Sequence, residues 1–217
     1  MMCVKKGNEP RPRWGIPAIL LLSLVAGRSA SGETYTIDPG NSSLTVRVFK
    51  SGLLSAFGDD HVVRAPIASG SVEDGSPPKV EIAVEARRMA VLDPHLAPAK
   101  RAEVQERMLG PDVLDVDRFA EIRFKSTSVK ALAAGRWRVE GLLSLRGHSE
   151  PVSFEVALAN GRFAGSATLS QRDFGIQPIS IAAGTVKVKN EITIDFEIST
   201  QPGAGARRAG ISGAPER

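Results

Sequence analysis

Apolar and polar side chains alternate one for one through most of this chain. Leu44, Val46 and Val48 are interleaved with Thr45 and Arg47, and Val80, Ile82 and Val84 with Glu81, Ala83 and Glu85. Ile122 and Phe124 stand against Arg123 and Lys125; Trp137, Val139, Gly141, Leu143 and Leu145 against Arg138, Glu140, Ser144 and Arg146. Val152, Phe154, Val156 and Leu158 oppose Ser153 and Glu155. Phe163, Gly165, Ala167 and Leu169 form a further set, and Ile192, Ile194, Phe196 and Ile198 oppose Thr193, Asp195, Glu197 and Ser199. Successive strand side chains point to opposite faces, so each window predicts a strand with one dry and one wet face. With a weaker run at Val62–Val72, about eight strands are expected. Turn-prone links such as Ala134-Gly135 and Asn160-Gly161 join them, the latter a strong signal for a tight hairpin.

One segment departs from this period. Ala97 to Leu109 has helical composition, with Pro98 in its first turn and Gly110-Pro111 as a stop. Val104 and Met108, four apart, give it a modest apolar stripe; it either plugs one end of a barrel or packs outside it. Sequential strands with short turns and one short α-helix predict an all-β fold, a closed antiparallel up-and-down barrel or a sandwich. Closure removes the exposed edges that invite aggregation. The segment 201–217, rich in Gly, Ala and Pro, is expected to be a disordered tail.

The first thirty residues carry a different signal. Lys5, Lys6, Arg11 and Arg13 precede an uncharged, mostly apolar run from Trp14 to Gly27, and small residues follow. This is the order of a secretory signal peptide, and the run is short of the ~20 residues of a membrane span. The expected organisation is a leader over 1–30, a barrel domain over 31–200 and the tail. Losing the leader removes Lys5, Lys6, Arg11, Arg13, Arg28 and Glu9, so basic residues fall from 28 to 23 and acidic ones from 24 to 23. The pI of 9.5 therefore owes much to the ends of the chain. A near-neutral domain lacks the concentrated basic face that a nucleic acid requires. Cys3, the one cysteine, leaves with the leader, which excludes disulfides and thiolate chemistry from the mature protein.

Candidate chemistry is sparse. Asp59, Asp60 and His61 read as a metal cluster or an acid–base pair, yet neighbours on a strand point apart, and two donors do not make a zinc site. His95 sits in a loop before the helix. His148 and Ser149 share a hairpin turn with neither a buried acid nor a prepared oxyanion site. Arg172 and Asp173 end a strand before Phe174-Gly175: they form either a surface ion pair at a barrel corner, with Gly175 at positive φ, or polar contacts at a cavity mouth beside His61.

The barrel interior remains. Small barrels are filled by side chains or hold one small ligand. The inner faces mix bulky residues with Gly141, Gly165 and Ala167, which favours open space over a packed core. The expected wall comprises Leu44, Val46, Val48, Ile82, Val84, Ile122, Phe124, Val139, Leu143, Phe154, Phe163, Ala167, Ile194 and Phe196. At ~0.8 kcal/mol per buried CH₂, a few prenyl units would offset the cost of association without a charged anchor.

Four blocks resemble the YceI-like family. Tyr35-Thr-Ile-Asp-Pro-Gly-Asn-Ser-Ser-Leu44 is similar to its opening strand, and Leu114-Asp-Val-Asp-Arg-Phe-Ala-Glu-Ile-Arg-Phe-Lys-Ser-Thr127 to its LDVxxFPxIxFxST block. Leu145-Arg-Gly-His-Ser-Glu-Pro-Val152 resembles LxGVTKPV, and Ser170-Gln-Arg-Asp-Phe-Gly-Ile176 resembles NRxDFGx. Asn41 and Ala120 depart from the pattern, as does Asp59, where a histidine is often seen. The resemblance implies a lipocalin-like barrel in the periplasm, or secreted, that binds polyisoprenoid or other amphiphilic molecules. It implies no cofactor and no catalytic residue, and it allows a homodimer. The charged residues of the central block, Asp115, Asp117, Arg123 and Lys125, suit a loop and a solvated outer face.

Three readings of function follow: a non-enzymatic carrier or buffer for an isoprenoid or quinone-like lipid, a metal-dependent protein using Asp59, Asp60 and His61, and an envelope interaction module whose barrel is scaffold.

Overall fold

Period-two alternation gives each strand one apolar face, and backbone hydrogen bonds gather the strands into a single antiparallel sheet. The structure, a computed structural model, describes residues 32–51, 60–181 and 186–203. The expected leader over 1–30 and the residue Asp59 lie outside them, as do residues 204–217 of the expected tail.

The described residues carry thirteen strand segments rather than about eight. The difference comes from interruptions within long passes. The first pass is β1 (Glu33–Ile37) and β2 (Ser43–Ser51), the second β3 (His61–Arg64) and β4 (Ile67–Asp74), the third β5 (Lys79–Glu85) and β6 (Ala90–Val91). Then come β7 (Glu121–Ala133), β8 (Arg136–Leu145), β9 (His148–Ala159) and β10 (Arg162–Ser170). The short β11 (Ser180–Ile181) pairs with β12 (Val186–Ile198), and β12 continues past Ser199 into β13 (Thr200–Pro202).

The interruptions in the first three passes have local causes. Between β1 and β2, Asp38 turns the chain by accepting the backbone N–H groups of Gly40 and Asn41 and the Asn41 side-chain amide. Pro66, without an N–H to donate, divides β3 from β4. A 3₁₀ turn over Ala86–Arg88 divides β5 from β6.

Consecutive passes pair, and the ring closes where the first meets the last: Ile37 lies opposite Thr200 on β13, and Leu44 opposite Phe196 on β12. The expected up-and-down barrel is thus present as a meander of eight passes. Pairing runs to Pro202, beyond the expected start of the tail, and Gly203 N–H still donates to Thr34 O. The two-residue turns are of the hairpin kind. Arg146 (φ 52°) with Gly147 (φ 77°) joins β8 to β9, and Asn160 (φ 52°) with Gly161 (φ 74°) joins β9 to β10.

The helix α1 (Pro98–Leu109) follows β6 and covers one end of the barrel. Val104, Met108 and Leu109 pack against a core that includes Val91, Leu114 and Phe174. Gln105 fixes its position: Oε1 accepts Val91 N–H at 2.8 Å and Nε2 donates to Met89 O at 2.9 Å. Of the two placements left open by the sequence, the helix takes the plug.

The loop after α1 corrects one expectation. Asp115 is not solvated: it is 7% exposed, at φ 49°, with Arg118 Nη1 3.2 Å from its carboxylate. Its backbone N–H donates to Gly110 O, and its own carbonyl accepts the N–H groups of Arg118 and Phe119, so it is the pivot of the turn. Arg146 ties this end together, donating to Gly175 O at 2.6 Å and to Pro111 O at 2.8 Å.

The outer face is charged and cross-linked between strands. Arg47 meets Asp195 at 2.7 Å, Lys125 meets Glu81 at 3.0 Å, and Arg136 and Arg138 each reach Glu155 at 2.8 Å. These hydrogen bonds hold the Asp195 and Glu155 carboxyls below their usual range. Exposed pairs of this kind add little stability singly.

Candidate ligand cavity

The inward-facing side chains of all eight passes line a cavity of about 920 Å³. Every wall residue expected from the sequence, from Leu44, Val46 and Val48 on β2 to Ile194 and Phe196 on β12, lines it. Strand periodicity accounts for this directly, because one residue in two faces the interior along each run. On β7 the inward set changes over only at the bulge between Ser126 and Ser128, after which Val129 lines the cavity.

The two ends of the wall differ. Toward the β7–β8 and β9–β10 hairpins the lining is aromatic. Phe124 and Phe154 have ring centroids 5.4 Å apart, Phe154 and Phe196 also 5.4 Å, and Trp137 meets Phe163 edge-on at 5.8 Å. Toward α1 the lining is mainly aliphatic, with Val104, Met108, Met89 and Leu145 beside Phe174, and polar and charged groups, among them His61, Lys100, Arg107 and Gln171, join it. The helix residues among these were not expected as wall; their stripe was visible, but nothing in the sequence said which surface it would cover.

The small inward residues do not all leave space. A Cβ on Gly141 would stand 2.6 Å from Phe124 Cζ, and one on Gly165 would stand 2.5 Å from Phe196 Cζ. These glycines are seats for aromatic rings. Ala167, in contrast, borders the cavity itself.

The polar candidates separate. Arg172 and Asp173 do not line the cavity: both are exposed, in a 3₁₀ turn over Gln171–Phe174, where Asp173 accepts from Ser170 Oγ at 2.8 Å and Arg172 N–H donates to Asn190 Oδ1 at 3.1 Å. The buried Gln171 and Phe174 point inward instead, and Gly175 ends the turn at φ 68°. His95 is exposed, and Asp60 accepts Lys50 N–H at 2.9 Å.

His61 does line the cavity, and its partner was not anticipated. Asp93, 5% exposed, places Oδ2 2.7 Å from His61 Nδ1 and accepts Val62 N–H on Oδ1, also at 2.7 Å. Asp93 lies in the loop after β6, 32 residues from His61, where no spacing rule could pair them. Asp60 and His61 do not converge, and no cluster of three or more His, Cys, Asp or Glu that could hold a metal occurs among the described residues.

Sequence and structure comparisons agree with this architecture. A family model described as the YceI-like domain matches residues 35–200. A UPF0312 protein of Shewanella putrefaciens is 28% identical over 176 residues, covering 75% of this chain and 86% of its own length. A UPF0312 protein of Shewanella oneidensis is 28% identical over 174 residues, covering 74% and 85%. Among solved structures, BcnA of Burkholderia cenocepacia superposes with a TM-score of 0.59 at 14% identity, over 75% of this chain and 98% of that one, a likeness of fold. With most of its length matched by the family model, its motifs in order and its barrel in place, this chain belongs to the YceI-like family.

Proposed function

We propose that this protein is an exported, non-enzymatic carrier or buffer that holds one amphiphilic lipid, a polyisoprenoid, a quinone-like molecule or a related chain, inside the barrel. One observation carries the reading: a cavity of about 920 Å³ whose wall is mainly aliphatic and aromatic. That volume falls in the range of small-molecule sites, ~300–1,000 Å³, and such apolar concavity is their usual character. Desolvating an alkyl or prenyl chain supplies affinity, and no catalytic group is needed.

Export is supported by the basic segment at Lys5–Arg13 followed by the apolar run at Trp14–Gly27. Among the described residues no helix is long and apolar enough to cross a membrane. The site of action proposed is the periplasm or the exterior.

The test is solvent extraction of the purified protein followed by mass spectrometry, alongside native mass spectrometry of the intact complex. A stoichiometric apolar molecule is the expected result. Recovery of none, together with no uptake of added long-chain lipid, would overturn the proposal. N-terminal sequencing of exported material should find a start near Gly27–Gly32.

A further inference from the structure

An apolar barrel explains where a chain would lie but not which way round. The described wall is mainly apolar, with polar and charged side chains toward its two ends, among them Tyr35, Glu73 and Asp74 at one and Lys50, His61 and Gln177 at the other. One of these, His61, is held in a defined state. Asp93 is buried, and its carboxylate, when ionised, can only accept hydrogen bonds. With Oδ2 2.7 Å from His61 Nδ1, it requires the proton of a neutral imidazole to sit on Nδ1. Nε2 is then an acceptor. No described residue hydrogen-bonds to it, while the side chain, 23% exposed, lines the cavity.

We propose that His61, oriented by Asp93, receives the ligand's head through Nε2, and that this head bears a hydroxyl: the ligand is a long-chain alcohol or phenol. The inference rests on the ligand-binding reading above. It also fixes direction. His61 begins β3 at the α1 end, so the tail extends toward Phe124, Phe154 and Phe196. An acceptor at this point favours O–H heads over ethers, esters and ketones, which bring no proton. Lys100 and Arg107, at the same end, are both paired with Glu103, at 2.8 and 3.8 Å, and so do not single out an anionic head.

A purely structural role for the pair predicts something different. Holding Asp93 needs one N–H, which an asparagine side-chain amide supplies from nearly the same position as Nδ1. The far nitrogen matters only to a ligand. His61→Asn therefore keeps the loop anchored while deleting the receptor. Asp93→Asn keeps an acceptor for Val62 N–H but turns an amide N–H toward Nδ1, which moves the ring proton to Nε2 and converts the acceptor to a donor.

The experiment is calorimetric titration of the purified, lipid-stripped protein with dodecanol and with its methyl ether, in mildly alkaline buffer. The unaltered protein should bind the alcohol about tenfold more tightly, as one hydrogen bond of ~1.4 kcal/mol gives. His61→Asn should bind both alike with its melting temperature nearly unchanged. Asp93→Asn should also lose the preference, because a donor at Nε2 serves an alcohol oxygen and an ether oxygen alike. Equal binding of both probes by the unaltered protein, or an alcohol preference that survives in His61→Asn, would overturn the head-group assignment and leave the apolar cavity standing. Failure of both probes to bind would sink the cavity reading itself. The first comparison needs no variant, so it holds even if a substitution does not fold.

Discussion

Phe124 and Gly141 share one site in the barrel wall: the ring edge lies where a side chain on the glycine would begin, 2.6 Å from an ideal Cβ, and Lys125 O stands closer still. The aromatic layer is therefore set by what β8 omits as much as by what β7 supplies.

Gly141→Ala should accordingly lose ~1–3 kcal/mol in denaturant unfolding, the usual penalty for overpacking. Adding Phe124→Ala should not restore stability, because the backbone carbonyl of Lys125 still blocks the methyl. A double variant as stable as the parent would show that the ring alone makes the conflict.

Gln105 is expected to anchor α1 to the barrel end. Gln105→Leu leaves Val91 N–H and Met89 O without their partner and should cost about 1–3 kcal/mol. Hydrogen exchange should accelerate at Val91 and along α1 before it does on β8 or β9. Unchanged protection of α1 would show that Val104 and Met108 hold it by packing alone.

Ala167 borders the cavity opposite Ile194, its cross-strand partner. Ala167→Phe should occupy part of the space a chain would fill, lowering lipid uptake at least about tenfold while the strand signature in circular dichroism persists. Undiminished uptake would place the bound chain away from β10.

Acid should weaken the fold in a defined window. Glu155 and Asp195 are held below their ordinary pKa values chiefly by hydrogen bonds from Arg138 and Arg47, and Asp38 chiefly by the Asn41 amide. The unfolded chain therefore binds protons before the folded one does. Their stabilising effect is complete above the unfolded carboxylate range, ~4–4.5, and is lost as pH falls through the lowered folded values. Melting temperature should stay level from neutrality to about pH 5 and decline below it. A decline that begins near pH 7 would point to groups other than these carboxylates.

The barrel was legible because its information is local: Val46, Ile82, Phe124 and Phe196 announce their inward direction through the residues beside them. The positions that escaped sequence reasoning depend on partners far along the chain. Asp93 reads as an ordinary loop aspartate until the fold brings it to His61. Asp115 reads as solvated until Gly110 O and Arg118 close around it. Gly141 and Gly165 look like gaps in a list of one strand's residues, and only the neighbouring strand fills them.

The seam between first and last passes carries a consequence for synthesis. Ser42 and Ser199 exchange hydrogen bonds across it, at 3.0 and 3.4 Å, from positions 157 residues apart. Non-local pairings of this separation are the slowest to form. A nascent chain that has not yet delivered β12 and β13 leaves β2 and β10 as bare edges, open to other chains. The barrel thus comes into existence as a closed object only when nearly all of its length is available, which favours a chain kept extended until it is complete.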